Sequence, residues 1–186
     1  MQLGNLVSRC LFLDRDGVVN VEKDYLHKIE DVEFVPGIFE LVRAAKSNGF
    51  KVIIVTNQSG IARGYYTEKQ FHELMDWMRE AFRDQDSDLD AVYYCPYHPE
   101  HGIGVYRSES ELRKPNPGMI LKAKADHALD LANSFLVGDR ESDIQAGNAA
   151  GVGNNFLLTQ NPISLMGGYR YTPVTSLFEI LPFLCS

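Results

Sequence analysis

Short apolar runs alternate along this chain with longer stretches whose apolar positions recur every three or four residues. Cys10–Leu13 is apolar throughout and stops at Asp14, which predicts a short buried strand ending in acid. Ile38, Leu41, Val42 and Ala45 follow Pro36-Gly37 at helical spacing, so Ile38–Ser47 reads as a helix that Asn48-Gly49 closes. Lys51–Val55 is β-branched and leads into Thr56-Asn57, a second strand with a polar tip. Thr67 and Gln70 stand in capping-box spacing before a helix over about Glu68 to Arg83, with Phe71, Leu74, Met75 and Met78 on one face. The pattern then predicts strand Ala91–Tyr94, helix Pro117–Ala128, strand Ser134–Val137 running into Gly138-Asp139, helix Asp143–Ala150, a last core strand Asn155–Leu158 and a short helix Ser176–Leu184. Strand–helix alternation of this kind predicts an α/β fold, a parallel sheet with helices on both faces.

Composition narrows the class. The 186 residues are 45% hydrophobic and 23% charged, which suits one globular domain spanning 1–186. A net charge of −7 and the lack of a basic stripe argue against nucleic acid as a partner. No apolar run is long enough to span a bilayer, and Met1–Arg9 lacks a signal-peptide profile. Cys10, Cys95 and Cys185 are odd in number and far apart, which argues for a reduced, cytoplasmic setting. The apolar segment Leu177–Leu184 is expected to pack on its own core, leaving a monomer.

The chemistry sits at the predicted strand ends, where ligands bind in open parallel sheets. Asp14 and Asp16 flank Arg15 after the first strand, and Gly17 allows a sharp turn there. One carboxylate of such a pair can take a phosphoryl group, while the other protonates the leaving oxygen and then activates water. Thr56-Asn57-Gln58-Ser59 offers a hydroxyl and backbone N–H groups for phosphoryl oxygens. Lys114 supplies fixed positive charge beside the nucleophile, and Arg113 is placed to grip a substrate oxygen. Asp14, Asp139 and the carbonyl of Asp16 form a hard, oxygen-rich set that favours Mg²⁺.

In this order, Asp14-Arg15-Asp16-Gly17-Val18, Thr56-Asn57, Lys114 and Gly138-Asp139-Arg140-Glu141-Ser142-Asp143 resemble the four motifs of the haloacid dehalogenase (HAD) phosphatases over residues 10–158. Asp24-Tyr25-Leu26-His27, Gln58–Gly64, Asp90–Pro96 and Arg113–Met119 follow one branch of that family, which acts on a sugar bisphosphate; a sister branch acts on histidinol phosphate. The resemblance implies a Rossmann-like fold and a small-molecule sugar phosphate as substrate, on a route to nucleotide-activated sugar for lipopolysaccharide. It implies Asp14 as nucleophile, Asp16 as acid and base, and Thr56 and Lys114 as stabilisers of the phosphoryl group. Glu22, Lys23, Asp24, Tyr25, Asn57, Gln58, Ser59, Arg113 and Arg140 would bind substrate, with Mg²⁺ on Asp14, Asp16 and Asp139.

The chain departs from that branch in one loop, residues 95–113. Relatives often hold a structural zinc there, but Tyr97, Ser110 and Leu112 stand in place of three of its four ligands, and only Cys95 remains. Cys95, His98 and His101, with Glu109 as a fourth, make a partial set without the two lost thiolates. The expectation is therefore a loop without zinc, packed in part by Tyr94, Tyr97 and Tyr106. Asp16 and Thr56 are 40 positions apart, and Thr56 and Lys114 are 58 apart. Those intervals are filled by the predicted core elements, so no separate cap domain is expected.

Overall fold

The computed structural model describes residues 7–161 and 168–185, so the reading of the first six residues lies outside it. A parallel sheet of six strands runs in the order β3-β2-β1-β4-β5-β6. The strands are β1 (Cys10–Leu13), β2 (Lys51–Asn57), β3 (Ala91–Cys95), β4 (Phe135–Gly138), β5 (Asn154–Leu158) and β6 (Thr172–Val174). The helices are α1 (Ile38–Ser47), α2 (Ser59–Ala62), α3 (Glu68–Arg83), α4 (Gly118–His127), α5 (Glu141–Ala150) and α6 (Leu181–Leu184).

The central strand is buried on both faces, as a parallel sheet requires. Successive β1 side chains point to opposite sides. Leu11 and Leu13 pack with α1, α3 and the C-terminal segment, while Cys10 and Phe12 pack with α4 and α5. Each such apolar side chain, fully withdrawn from water, contributes roughly 1.5–3 kcal/mol of transfer free energy. Leu13 stands opposite Ile54 on one side and Val137 on the other. That register brings Asp14 and Asp139, just beyond β1 and β4, and Thr56, near the end of β2, to one end of the sheet.

The predicted elements appear with small shifts at their ends. Thr67 caps α3 through both halves of a capping box: its Oγ1 accepts from Gln70 N at 3.2 Å, and Gln70 Oε1 accepts from Thr67 N at 2.9 Å. The C-terminal segment is a 3-10 turn, Leu177–Ile180, followed by α6, with Leu177, Ile180 and Leu184 buried in the chain's own core. Among the described residues, one α-helix and one strand were not expected. The one-turn helix α2 follows the Thr56 strand tip, and β6 lies beyond β5 at the sheet edge, so Asn154–Leu158 is not the last strand. β6 is three residues long and contains Pro173, which is tolerated on an edge because part of that strand's backbone has no ladder partner.

Candidate active site

The strand tips enclose a cavity of about 300 Å³ lined by Asp14, Asp16, Glu22, Asp24, Tyr25, Thr56, Asn57, Gln58, Ser59, Gly60, Tyr66, Arg113, Lys114, Arg140, Ser142 and Asp143. At its floor is a buried ion network. Lys114 Nζ lies 2.8 Å from Asp14 Oδ1, 2.6 Å from Asp143 Oδ1 and 2.9 Å from the Val55 carbonyl. All three ionisable side chains are nearly withdrawn from water, with Lys114 at 3% exposure.

Three local features set this network in place. Asn57, at the end of β2, spends both amide atoms on the Lys114 backbone: Oδ1 accepts from its N–H and Nδ2 donates to its carbonyl, each at 3.0 Å. Asp143 occupies the third position of α5, where its Oδ2 accepts from Arg140 N at 3.0 Å, favourable at a helix start. Its other oxygen is thereby left for Lys114. Gly17 has φ +90°, and a Cβ there would fall 2.3 Å from Asp139 Oδ2, so Asp139 rests against bare backbone.

The electrostatics follow from burial and crowding. Burial pushes Asp14 up to about 8; Lys114 opposes this, while Asp143, Asp139 and Asp16 add to it. Burial, then Asp143, pushes Asp139 up to about 6. Burial alone would lower Lys114, but Asp14 and Asp143 reverse that and hold it above the ordinary lysine range. The Lys114 ammonium, and the Arg140 guanidinium 3.8 Å from Asp139 Oδ2, do not bring Asp14 and Asp139 back to their ordinary range. Asp14, Asp139 and Asp143 each bring an oxygen within 4.8 Å of the others, and Asp139 Oδ1 is buried with no hydrogen-bond partner among the described residues. An all-oxygen set with an orphaned buried carboxylate oxygen fits a hard divalent cation such as Mg²⁺.

Asp16 is held differently. Arg15, fully buried, grips it with Nε and Nη2 on Oδ1 at 3.1 and 2.8 Å and with Nη2 on Oδ2 at 2.9 Å. Asn20 Nδ2 and Gln58 Nε2 each donate to it at 3.1 Å. Gln58 Nε2 also donates to Thr56 Oγ1 at 2.9 Å, which satisfies that oxygen and leaves the hydroxyl proton for another acceptor.

The mouth of the cavity is looser. Arg140 Nη2 pairs with Glu22 Oε2 at 2.5 Å, both half-exposed. Arg113 Nη1 donates to the Tyr97 carbonyl at 3.3 Å. Lys23 is not among the lining residues: its Nζ donates to the Asp31 carbonyl at 3.0 Å and pairs with Glu33 at 3.3 Å. The loop 95–113 is tied to α3 through Glu68, whose carboxylate accepts from Tyr106 Oη at 2.6 Å and Tyr94 Oη at 2.5 Å. Those two bonds hold Glu68 below its usual range. His98 Nδ1 faces the N–H groups of Glu100 and His101, at 3.2 and 3.1 Å.

Sequence reasoning brought together Asp14, Asp16, Thr56, Lys114 and Asp139. It assigned no site role to Asp143, Arg15, Asn20 or Tyr66. Asp143 carried a signal, as part of the acid cluster after β4, but that signal also fits a plain helix cap. Arg15 carried none, because an arginine between two aspartates reads as solvated.

The chain is similar to known proteins along most of its length. A HAD-hydrolase-like family model matches residues 111–160. The D-glycero-alpha-D-manno-heptose-1,7-bisphosphate 7-phosphatase of Burkholderia mallei is 52% identical over 177 residues, 95% of this chain and 94% of its own. The D-glycero-beta-D-manno-heptose-1,7-bisphosphate 7-phosphatase of Vibrio cholerae is 45% identical over 173 residues, covering 92% and 93%. A crystal structure of D,D-heptose 1,7-bisphosphate phosphatase from B. bronchiseptica, complexed with magnesium and phosphate, matches with a TM-score of 0.81 at 27% identity, covering 95% of this chain and 98% of that one.

Paired aspartates, a lysine and an acid cluster at the tips of a parallel α/β sheet suit phosphoryl transfer, and with these relatives they make the chain a phosphoric monoester hydrolase. The chain belongs to the haloacid dehalogenase phosphatases, the family of these 52% and 45% identical relatives.

Proposed function

We propose that this chain removes the 7-phosphate of D-glycero-D-manno-heptose 1,7-bisphosphate through an aspartyl-phosphate on Asp14. The observation that carries the reading is the Lys114 ammonium, 2.8 Å from Asp14 and 2.6 Å from Asp143, at the floor of a polar cavity.

The roles follow from the contacts. Asp14 attacks phosphorus, and the sugar oxygen leaves with a proton from Asp16. Asp16 then takes a proton from the water that cleaves the acyl phosphate, which returns Asp14 free and releases phosphate. Lys114 offsets charge on both the nucleophile and the transferring group. The Thr56 hydroxyl, its oxygen already occupied by Gln58, donates to a phosphoryl oxygen. Mg²⁺ held by Asp14, Asp139 and the Asp16 carbonyl would supply the positive charge that lets a carboxylate approach a phosphate dianion. Asp143 orients Lys114 and caps α5.

Glu22, Asp24, Tyr25, Ser59, Arg113 and Arg140 line the cavity and form the sugar side. Asn57 acts through Lys114, and Lys23 stands outside the contact set. We read the chain as one domain without a cap, working as a cytoplasmic monomer, with its 95–113 loop held by Glu68 and tyrosines in place of zinc. Among the described residues, no helix is long and apolar enough to cross a membrane.

The test is phosphate release with Mg²⁺ from heptose 1,7-bisphosphate and from histidinol phosphate, with Asp14→Asn as control. A kcat/KM at least tenfold higher on the heptose ester is expected, abolished in the variant. Preference for histidinol phosphate would overturn the substrate, and activity surviving Asp14→Asn would overturn the mechanism.

A further inference from the structure

Tyr66 has no part in the chemistry above, yet it sits beneath it. Its side chain is buried, at 4% exposure, and its hydroxyl donates to Gln58 Oε1 at 2.5 Å. The ring has a built seat. A Cβ on Gly60 would fall 2.2 Å from the Tyr66 ring, so α2 leaves that space open for it. On its other side it stacks on His27, with centroids 5.0 Å apart and planes 11° from parallel.

Gln58 is itself buried, at 1% exposure, and its two ends are not equivalent. Its Nε2 carries two protons and meets two acceptors, Asp16 Oδ2 at 3.1 Å and Thr56 Oγ1 at 2.9 Å. With the amide reversed, a carbonyl oxygen would face the Asp16 carboxylate, lone pair against lone pair. The Asp16 carboxylate, an acceptor only, excludes that arrangement, and Tyr66 completes the observed one by giving Oε1 its donor. Without that donor, Oε1 would be a buried acceptor with no partner, a state that costs roughly 1–3 kcal/mol.

We propose that Tyr66 is a positioning residue: by engaging Gln58 Oε1 it fixes the amide so that Nε2 aligns Asp16 for proton transfer to the leaving oxygen. Tyr66 itself exchanges no proton; it acts through Gln58. The inference rests on the reading of Asp14 and Asp16 as nucleophile and acid. It predicts that loss of the hydroxyl harms departure of a poor leaving group, which needs the proton, more than departure of a good one.

The experiment compares wild type and Tyr66→Phe with Mg²⁺ on two esters: the alkyl phosphate that wild type hydrolyses fastest, and p-nitrophenyl phosphate. The readout is kcat/KM, which ends at leaving-group departure and excludes hydrolysis of the acyl phosphate. The loss on the alkyl ester is expected to exceed the loss on the aryl ester by about tenfold, within the range that general acids supply. A ratio below about threefold, including no loss or an equal loss on both, overturns the proposal. If Tyr66→Phe does not fold, Gln58→Leu is judged by the same ratio. Because the alkyl ester is chosen by wild-type activity, a wrong assignment of the sugar leaves this test intact.

Discussion

The floor and the mouth of the cavity are built on opposite principles. At the floor, charge is buried, short-ranged and over-determined: Lys114 meets two carboxylates and a carbonyl while its backbone is pinned by Asn57. At the mouth, charge is shared with water, as in the half-exposed Arg140–Glu22 pair and the Lys23–Glu33 pair. Buried charges interact strongly and are costly to strand, whereas exposed pairs are worth about 0–1 kcal/mol. Substitutions at the floor are therefore expected to change rate, and those at the mouth affinity.

Metal removal should divide the two regions most sharply. Chelation should lower activity by about 10³-fold or more, restored by Mg²⁺, because a bound cation supplies several kcal/mol of charge stabilisation. It should also expose the crowding. Asp14 at about 8 lies above its ordinary value of 3.8, so the metal-free folded state binds more protons than the unfolded state between those values. Stability of the metal-free protein should then fall as pH rises through that window. Melting curves with and without Mg²⁺ across pH 5–8 check this, and an equal slope in both would contradict it.

Lys114→Ala comes next. It leaves Asp14 and Asp143 facing each other without the ammonium, so kcat should fall about 10²–10³-fold, as when one preorganised donor is removed. In steady-state kinetics, a change confined to KM would place Lys114 with the mouth instead.

Glu68→Ala acts from outside the cavity. It removes the acceptor of Tyr94 and Tyr106 and frees the loop whose Tyr97 carbonyl receives Arg113. We expect KM for the sugar phosphate to rise about three- to tenfold with kcat within twofold, the pattern of lost uniform binding. Limited proteolysis should cut within 95–113 faster than in wild type. The smallest effect belongs to Lys23→Ala, whose partners are Asp31 and Glu33; kcat/KM should stay within about twofold.

The same contrast explains what could be read from sequence. β1, β2 and β4 are apolar runs ending in or running into polar residues, and the rule that ligands gather at such ends brings Asp14, Thr56 and Asp139 together from the sequence pattern alone. β6 escaped because three residues around Pro173 carry no periodicity, and it forms only by pairing with β5. Asn57 and Lys23 fell within motif stretches but use their side chains on the protein itself, and nothing in a motif separates those uses. Arg15 and Tyr66 depend on how the loops fold back, bringing Arg15 to Leu26 and Tyr66 to Gln58 over short stretches without periodicity, which a linear pattern does not encode.

Gly17 carries a consequence for how this protein can change. The Asp139 carboxylate occupies the volume that a methyl group on residue 17 would need, and the backbone there is turned to φ +90°. On the proposed reading of Asp139 as a cation ligand, affinity for the metal is tied to a hydrogen atom in the first loop, far along the chain from the aspartate it accommodates. Any variant library that randomises this position should return glycine among its active clones, while neighbours facing solvent drift freely.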